Sequence, residues 1–229
     1  MSTQRILELP MQGSKLRHLL KQSVPLMGNS NIAEHLTRED IDDIRYNVEI
    51  LVGHVLNELL IDWRNDPNMA GTPERYARML VEEAYSGRYQ KPPSCTVFPN
   101  TADLDEMYTT GPITVNSSCS HHLVPIVGRA WVGVIPGDHV LGLSKFNRLV
   151  QWICRRPQIQ EEMVVQMADT LERHLGSPRG LAVVVEASHL CMTWRGVEEA
   201  PSAVMRTSVV RGRFREDPAA RAEFFTAIK

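Results

Sequence analysis

Across 229 residues, 25 Lys and Arg nearly balance 27 Asp and Glu, and the formal charge of -2 gives no basis for nucleic acid or an anionic membrane as a partner. Hydrophobic residues at 43% and charged residues at 23% are the proportions of an ordinary globular chain, long enough to bury a core. No apolar run approaches the ~18 residues of a membrane span, the N-terminal stretch lacks the apolar core of a secretion signal, and the four cysteines lack the spacing of a disulfide framework. A cytoplasmic chain without membrane contact is expected, with its thiols free.

Residues 1–36 carry Pro10, Gly13, Pro25, Gly28 and Asn29-Ser30-Asn31 without sustained periodicity, which predicts a flexible or loosely docked N-terminal arm. A helical part is predicted over 37–92. Thr37-Arg38-Glu39-Asp40 has the pattern of an N-terminal capping sequence, and Ile41, Ile44, Val48, Leu51, Val52, Val55, Leu56 and Leu59 follow at helical spacing to near Asp62. Thr72-Pro73 predicts the cap and first position of a second helix, running from Pro73 to Ser86 before Gly87. On it Arg75 and Arg78 share a face, either as solvated surface or as part of an anion site.

From Ser94 to Tyr108 prolines and polar residues predict a loop or irregular strand. Ile113 to Asn116 and Leu123 to Ile135 are β-rich, with Pro136-Gly137-Asp138 as a turn. Ser144 is placed to cap a helix carrying Phe146, Leu149, Val150 and Ile153, and Pro157 opens a second carrying Ile159, Met163, Met167, Leu171 and Leu175. Leu181 to Ala187 and Met205 to Phe214 return to strand character, the first almost wholly apolar as a buried strand is. The order predicts an α+β chain, with paired strands and a helical layer on one face.

Chemistry concentrates in Ser118-Cys119-Ser120-His121-His122 and, about seventy residues on, His189-Leu190-Cys191. A lone Cys is most often a small buried hydrophobe and a lone His a satisfied core or surface residue, but two such clusters together argue for a metal site. If the chain stays extended, Cys119 and His121 share one face and His122 takes the other unless the backbone bends. Five candidates exceed a closed tetrahedral set, so an open coordination position with spare histidines for proton transfer fits the inventory. Elsewhere, Ser144, Lys145 and Arg148 stand at one predicted helix start, where phosphate binds readily, although basic residues are common there without a ligand. Gln160-Glu161 either occupies a first helical turn, where an acidic side chain is favoured, or reads a guanine, since a carboxylate accepts from N1 and the exocyclic amine and an amide both donates and accepts.

Cys119-Ser-His-His-Leu-Val-Pro, Gly128-Arg-Ala, Leu141-Gly-Leu-Ser-Lys-Phe-Asn-Arg-Leu-Val, Arg156-Pro-Gln-Ile-Gln-Glu, His189-Leu-Cys-Met, Arg195-Gly-Val and Thr207-Ser resemble GTP cyclohydrolase I. The helix around Thr72-Pro-Glu-Arg-Tyr-Ala-Arg-Met resembles its N-terminal helical part, so the likeness covers roughly residues 40 to 225. The resemblance implies a tunnelling fold (T-fold) over 93–229, an antiparallel sheet that subunits combine into a barrel, and a toroidal homodecamer of two pentamers. It implies Zn2+ held by Cys119, His122 and Cys191, with His121 and His189 as proton-transfer groups. Gln160 and Glu161 match the guanine pair, and Arg75, Arg78, Ser144, Lys145, Arg148 and Arg195 match positions around the triphosphate. The implied reaction opens the imidazole ring of GTP at C8, releases formate and forms 7,8-dihydroneopterin triphosphate. Three features depart from the pattern: Ser120 replaces a glutamate, Glu162 stands where arginine is common, and the connection before Thr72 is short. The alternatives are a relative that stops at a ring-opened formamidopyrimidine or uses another purine nucleotide, and a non-catalytic nucleotide-binding subunit.

Overall fold

The computed structural model describes residues 15–200 and 202–229, so the first fourteen residues of the predicted arm lie outside the described part. The rest of the arm is docked. Lys15–Lys21 forms a short helix, α1, and Lys15 Nζ donates to Asp40 Oδ2 at 2.7 Å. The Asn31 amide donates to the carbonyls of Gly87 at 2.8 Å and Gln90 at 2.8 Å.

The next helix, α2, spans Arg38–Glu58 and begins as the sequence predicts. Thr37 Oγ1 accepts from the Asp40 N–H at 3.1 Å while the Thr37 N–H donates to Asp40 Oδ2 at 2.8 Å, the reciprocal pair of a capping box. It ends four residues before Asp62, because Leu60 turns to a left-handed φ of 58°. The predicted second helix is broken into three parts: α3 (Thr72–Arg78), a wide π turn (Met79–Ala84) and α4 (Ser86–Tyr89). Thr72 is not its cap. Gly71 holds that position, and Thr72 Oγ1 accepts from Arg75 Nη2 at 3.1 Å.

The sheet strands are β2 (Tyr108–Cys119), β3 (Pro125–Ile135), β5 (Pro157–Gln158), β6 (Gly180–His189) and β7 (Met205–Gly212), in the order β5-β2-β3-β6-β7. All neighbours are antiparallel except β5, which runs parallel to β2. Two further strands pair with each other: β1 (Val97–Pro99), within the stretch expected to be a loop or irregular strand, and β4 (His139–Leu141), just after the Pro136-Gly137-Asp138 segment. Two long helices, α5 (Leu143–Cys154) and α6 (Gln160–Leu175), cover one face. Phe146, Leu149, Ile153, Met163, Met167 and Leu171 are buried there against Val115, Val132, Val134, Val183 and Val185. Each such side chain contributes about 1.5–3 kcal/mol on leaving water, and this layer is the centre of the fold.

The helical layer is not confined to one face as expected. The last predicted strand stops at Gly212, followed by α8 (Arg213–Glu216) and α9 (Pro218–Ala227), with α7 (Leu190–Thr193) preceding β7. Phe214 and Phe224 pack with Ile135, Ala182 and Val184 in a second buried cluster. Ala182 and Val184 alternate with Leu181, Val183 and Val185, so they point to the opposite face of β6. A strand apolar on both faces needs two covers, and the C-terminal helices provide the second. The signal for α9 is in the sequence: Asp217-Pro218 places a cap before a proline, and Asp217 Oδ1 accepts from Ala219 N–H at 2.8 Å.

Candidate metal centre and active site

The topology explains why two clusters seventy residues apart meet. β2 and β6 are both antiparallel to β3, which lies between them, so they run the same way and end at the same edge of the sheet. Cys119 closes β2 and His189 closes β6. The short β5 pairs with β2 in the register Cys119↔Gln158, which brings the start of α6, at Gln160, to that edge too.

The backbone bend that His122 requires is present. The Leu123 N–H donates to Cys119 O at 2.8 Å and the Cys119 N–H to Val124 O at 2.9 Å, with Leu123 at a left-handed φ of 56°. This tight reversal turns His122 back towards Cys119. On the other side α7 begins directly after His189 and carries Cys191 round. The potential ligand atoms of Cys119, His122 and Cys191 all lie within 4.8 Å of one another. A zinc ion takes sulfur at about 2.3 Å and nitrogen at about 2.0–2.1 Å, which in a tetrahedron sets ligand atoms a little under 4 Å apart. The donor set therefore fits with slight contraction. Burial, and then the adjacent Cys119 sulfur, push the Cys191 thiol up, an effect that a cation bound beside it would offset.

The remaining two members of the pattern stand at the rim. His121 Nδ1 lies 3.8 Å from Cys119 Sγ, and its ring is exposed. His189 is half-buried and its Nε2 lies 2.8 Å from Gln160 Oε1. Burial lowers the His189 pKa, and the Glu161 carboxylate opposes that shift by favouring the charged ring. Gln160, expected beside a guanine, is instead fully buried, and its amide nitrogen faces Val185 O, Met205 O and Thr207 Oγ1 at 3.0–3.2 Å. Glu161, next to it in the first turn of α6, is exposed. Thr207 was named only as part of a motif, and its contact to Gln160 depends on β6–β7 pairing that no local pattern specifies.

Of the predicted phosphate groups, Arg195 reaches the cluster: its Nη1 donates to His122 Nε2 at 2.8 Å. The others are not joined to it by any hydrogen bond among the described residues. Ser144 is exposed and is not the cap of α5, a position held by Gly142. Lys145 Nζ donates to Ser94 O at 3.0 Å. Arg148 lines a cavity of about 300 Å³ with Ser86, Gln90, Trp152 and Arg155. Arg75 donates to Asn68 O at 3.2 Å, in the turn before α3, and Arg78 is exposed.

A mixed α/β chain with a Cys, His, Cys donor set and two further histidines at one sheet edge fits the class of enzymes that work at a metal-ligand cluster. Residues 51–229 match the family described as GTP cyclohydrolase I. The chain is 38% identical over 227 residues to "GTP cyclohydrolase 1" of Pectobacterium carotovorum, spanning 98% of this chain and 91% of that protein. It is 39% identical over 192 residues to "GTP cyclohydrolase 1" of Flavobacterium johnsoniae, spanning 83% and 82%. The chain belongs to the GTP cyclohydrolase I family, and it is an enzyme.

Proposed function

We propose that this enzyme hydrolyses GTP at C8 of the guanine, releases formate and forms 7,8-dihydroneopterin triphosphate, with zinc held by Cys119, His122 and Cys191. The convergence of those three side chains within 4.8 Å, from two distant segments, carries this reading. Zinc at such a site acidifies bound water and polarises the reacting centre. The chain's own residues do the rest. His189 and His121, on either side of the cluster, move protons to and from the ring nitrogens. Glu161, exposed beside His189, accepts from N1 and the exocyclic amine of the base. Arg195 approaches the triphosphate from the metal side, with Ser144, Lys145, Arg148, Arg75 and Arg78 completing the anion site.

Because those last five are not joined to the cluster within one chain, the complete site is proposed to form between copies, in a toroidal decamer of two pentamers whose sheets close a barrel. The exposed Leu51 and Val55 of α2, with Leu59 just past its end, support burial against another copy. Zinc-loaded protein incubated with GTP tests the activity, with formate and the nucleotide product read by mass spectrometry. Formate with the dihydropterin triphosphate is expected, and prior chelation should abolish both. A ring-opened product without reclosure would assign the chain to altered chemistry, for which Ser120 in place of glutamate is the obvious cause. Unchanged GTP would overturn the reading.

A further inference from the structure

We propose that Gln160 is a positioning residue: its buried side-chain amide fixes His189 in the tautomer protonated on Nε2, leaving Nδ1 as the ring's proton-accepting atom. The inference deepens the cyclohydrolase reading and rests on it for the role of His189.

The argument begins with what each atom is able to do. Backbone carbonyl oxygens only accept, so the atom of Gln160 facing Val185 O at 3.2 Å and Met205 O at 3.0 Å has to be the nitrogen. Thr207 Oγ1, at 3.1 Å from the same nitrogen, adds a third partner on β7. A flipped amide would set its oxygen against two carbonyl oxygens in a site with no access to water, and leave both hydrogens without those partners. With the nitrogen so committed, Oε1 faces His189 Nε2 at 2.8 Å. An amide oxygen has no proton to give, so the ring nitrogen opposite it must carry one. In the neutral imidazole the other nitrogen, Nδ1, then holds the lone pair.

The anchoring is built from three elements. Gln160 opens α6, its nitrogen is held by β6 and β7, and its oxygen holds the residue that closes β6. Fully buried, it has lost its rotamer freedom on folding rather than on substrate binding, which is the form a preorganised support takes. It also has no amide hydrogen left to offer a nucleotide base, whereas its neighbour Glu161 is exposed.

Four measurements test this. In wild-type, zinc-loaded protein labelled with 15N-histidine, two-bond couplings in NMR report the His189 tautomer. Protonation at Nε2 is expected, and protonation at Nδ1 overturns the proposal without any variant. Gln160→Met should lower kcat for formate release on the order of 10–100-fold, as loss of an outer partner of a functional histidine does. Its KM for GTP should change by less than about threefold, since no ground-state contact is lost. In a His189→Ala background the same substitution should cost less than about twofold, because the group it acts through is gone. A raised KM with kcat retained would make Gln160 a substrate contact, and an equal loss in both backgrounds would make it a general packing residue; either overturns the proposal. Wild-type protein that releases no formate defeats the cyclohydrolase reading instead, and the tautomer then decides the Gln160 assignment alone.

Discussion

Helices α2 and α6 carry similar amphipathic patterns and meet different fates. On α6, Met163, Val164, Met167, Ala168, Leu171 and Leu175 are all buried. On α2 the one buried residue is Gly53, while Leu51 and Val55, and Leu59 at its C-cap, are each more than half exposed. Periodicity says that a helix has an apolar face, and the rest of the molecule decides whether one chain covers it. The sheet with α5 and α6 is satisfied within a single chain and carries the Cys119, His122, Cys191 cluster. The N-terminal helical part is unsatisfied, and it carries Arg75 and Arg78 with no bond to that cluster.

The largest expected effect falls on the satisfied half. Cys191→Ser removes a thiolate ligand and should lose zinc and formate release together, by well over the roughly 100-fold that outer-partner changes cost. Full turnover with full metal content in that variant would sink the ligand assignment. Next comes Leu171→Ala, which should destabilise the fold by about 2–5 kcal/mol, read as a shift in urea midpoint at unchanged slope. A loss below about 1 kcal/mol would mean that the α6 layer does not hold the fold as its burial implies.

How much of this was legible follows the range of each interaction. The Thr37 to Asp40 capping box is a local device, and it is present as read. The candidate metal site was legible as five Cys and His residues in two short groups, but the choice of Cys119, His122 and Cys191 among them came from the family resemblance, and the bend that recruits His122 depends on Leu123 adopting a left-handed φ that its side chain does not announce. What failed was non-local or was settled by competition. Ser144 is a good cap, yet the cap position falls two residues earlier, on Gly142, and α5 begins at Leu143. The second cover on β6 was missed because an apolar run looks alike whether one or two layers bury it. For Gln160 the sequence left a first-turn position and a guanine contact both open, because nothing in its neighbours shows that Val185, Met205 and Thr207 will surround it.

The smaller effects fall on the helical part and sharpen the contrast. Lys15's ammonium, and then the Thr37 backbone N–H, hold the Asp40 carboxyl at about 2, below its ordinary 3.8. A carboxyl lowered on folding stabilises above its unfolded value and loses that contribution as pH falls through the folded one. Asp40→Asn should therefore cost about 1 kcal/mol at neutral pH. The gap between variant and wild type should close between about pH 4 and pH 2 in paired denaturation curves. A gap independent of pH would mean that the carboxylate's charge plays no part in fixing this helix.

Least of all should be felt from Leu51→Asp in a single chain. Leu51 is 61% exposed, so the change should move the stability of dilute monomer by no more than about 0.5 kcal/mol. If another copy covers α2, the same change buries an unpaired carboxylate in an interface and should shift the sedimentation profile towards smaller species. The two readouts separate the halves of the molecule: a residue silent in the monomer and decisive in the assembly belongs to a face the chain leaves for its own copies. Unchanged sedimentation would remove Leu51 from that interface and leave the α2 stripe exposed in the assembly as well.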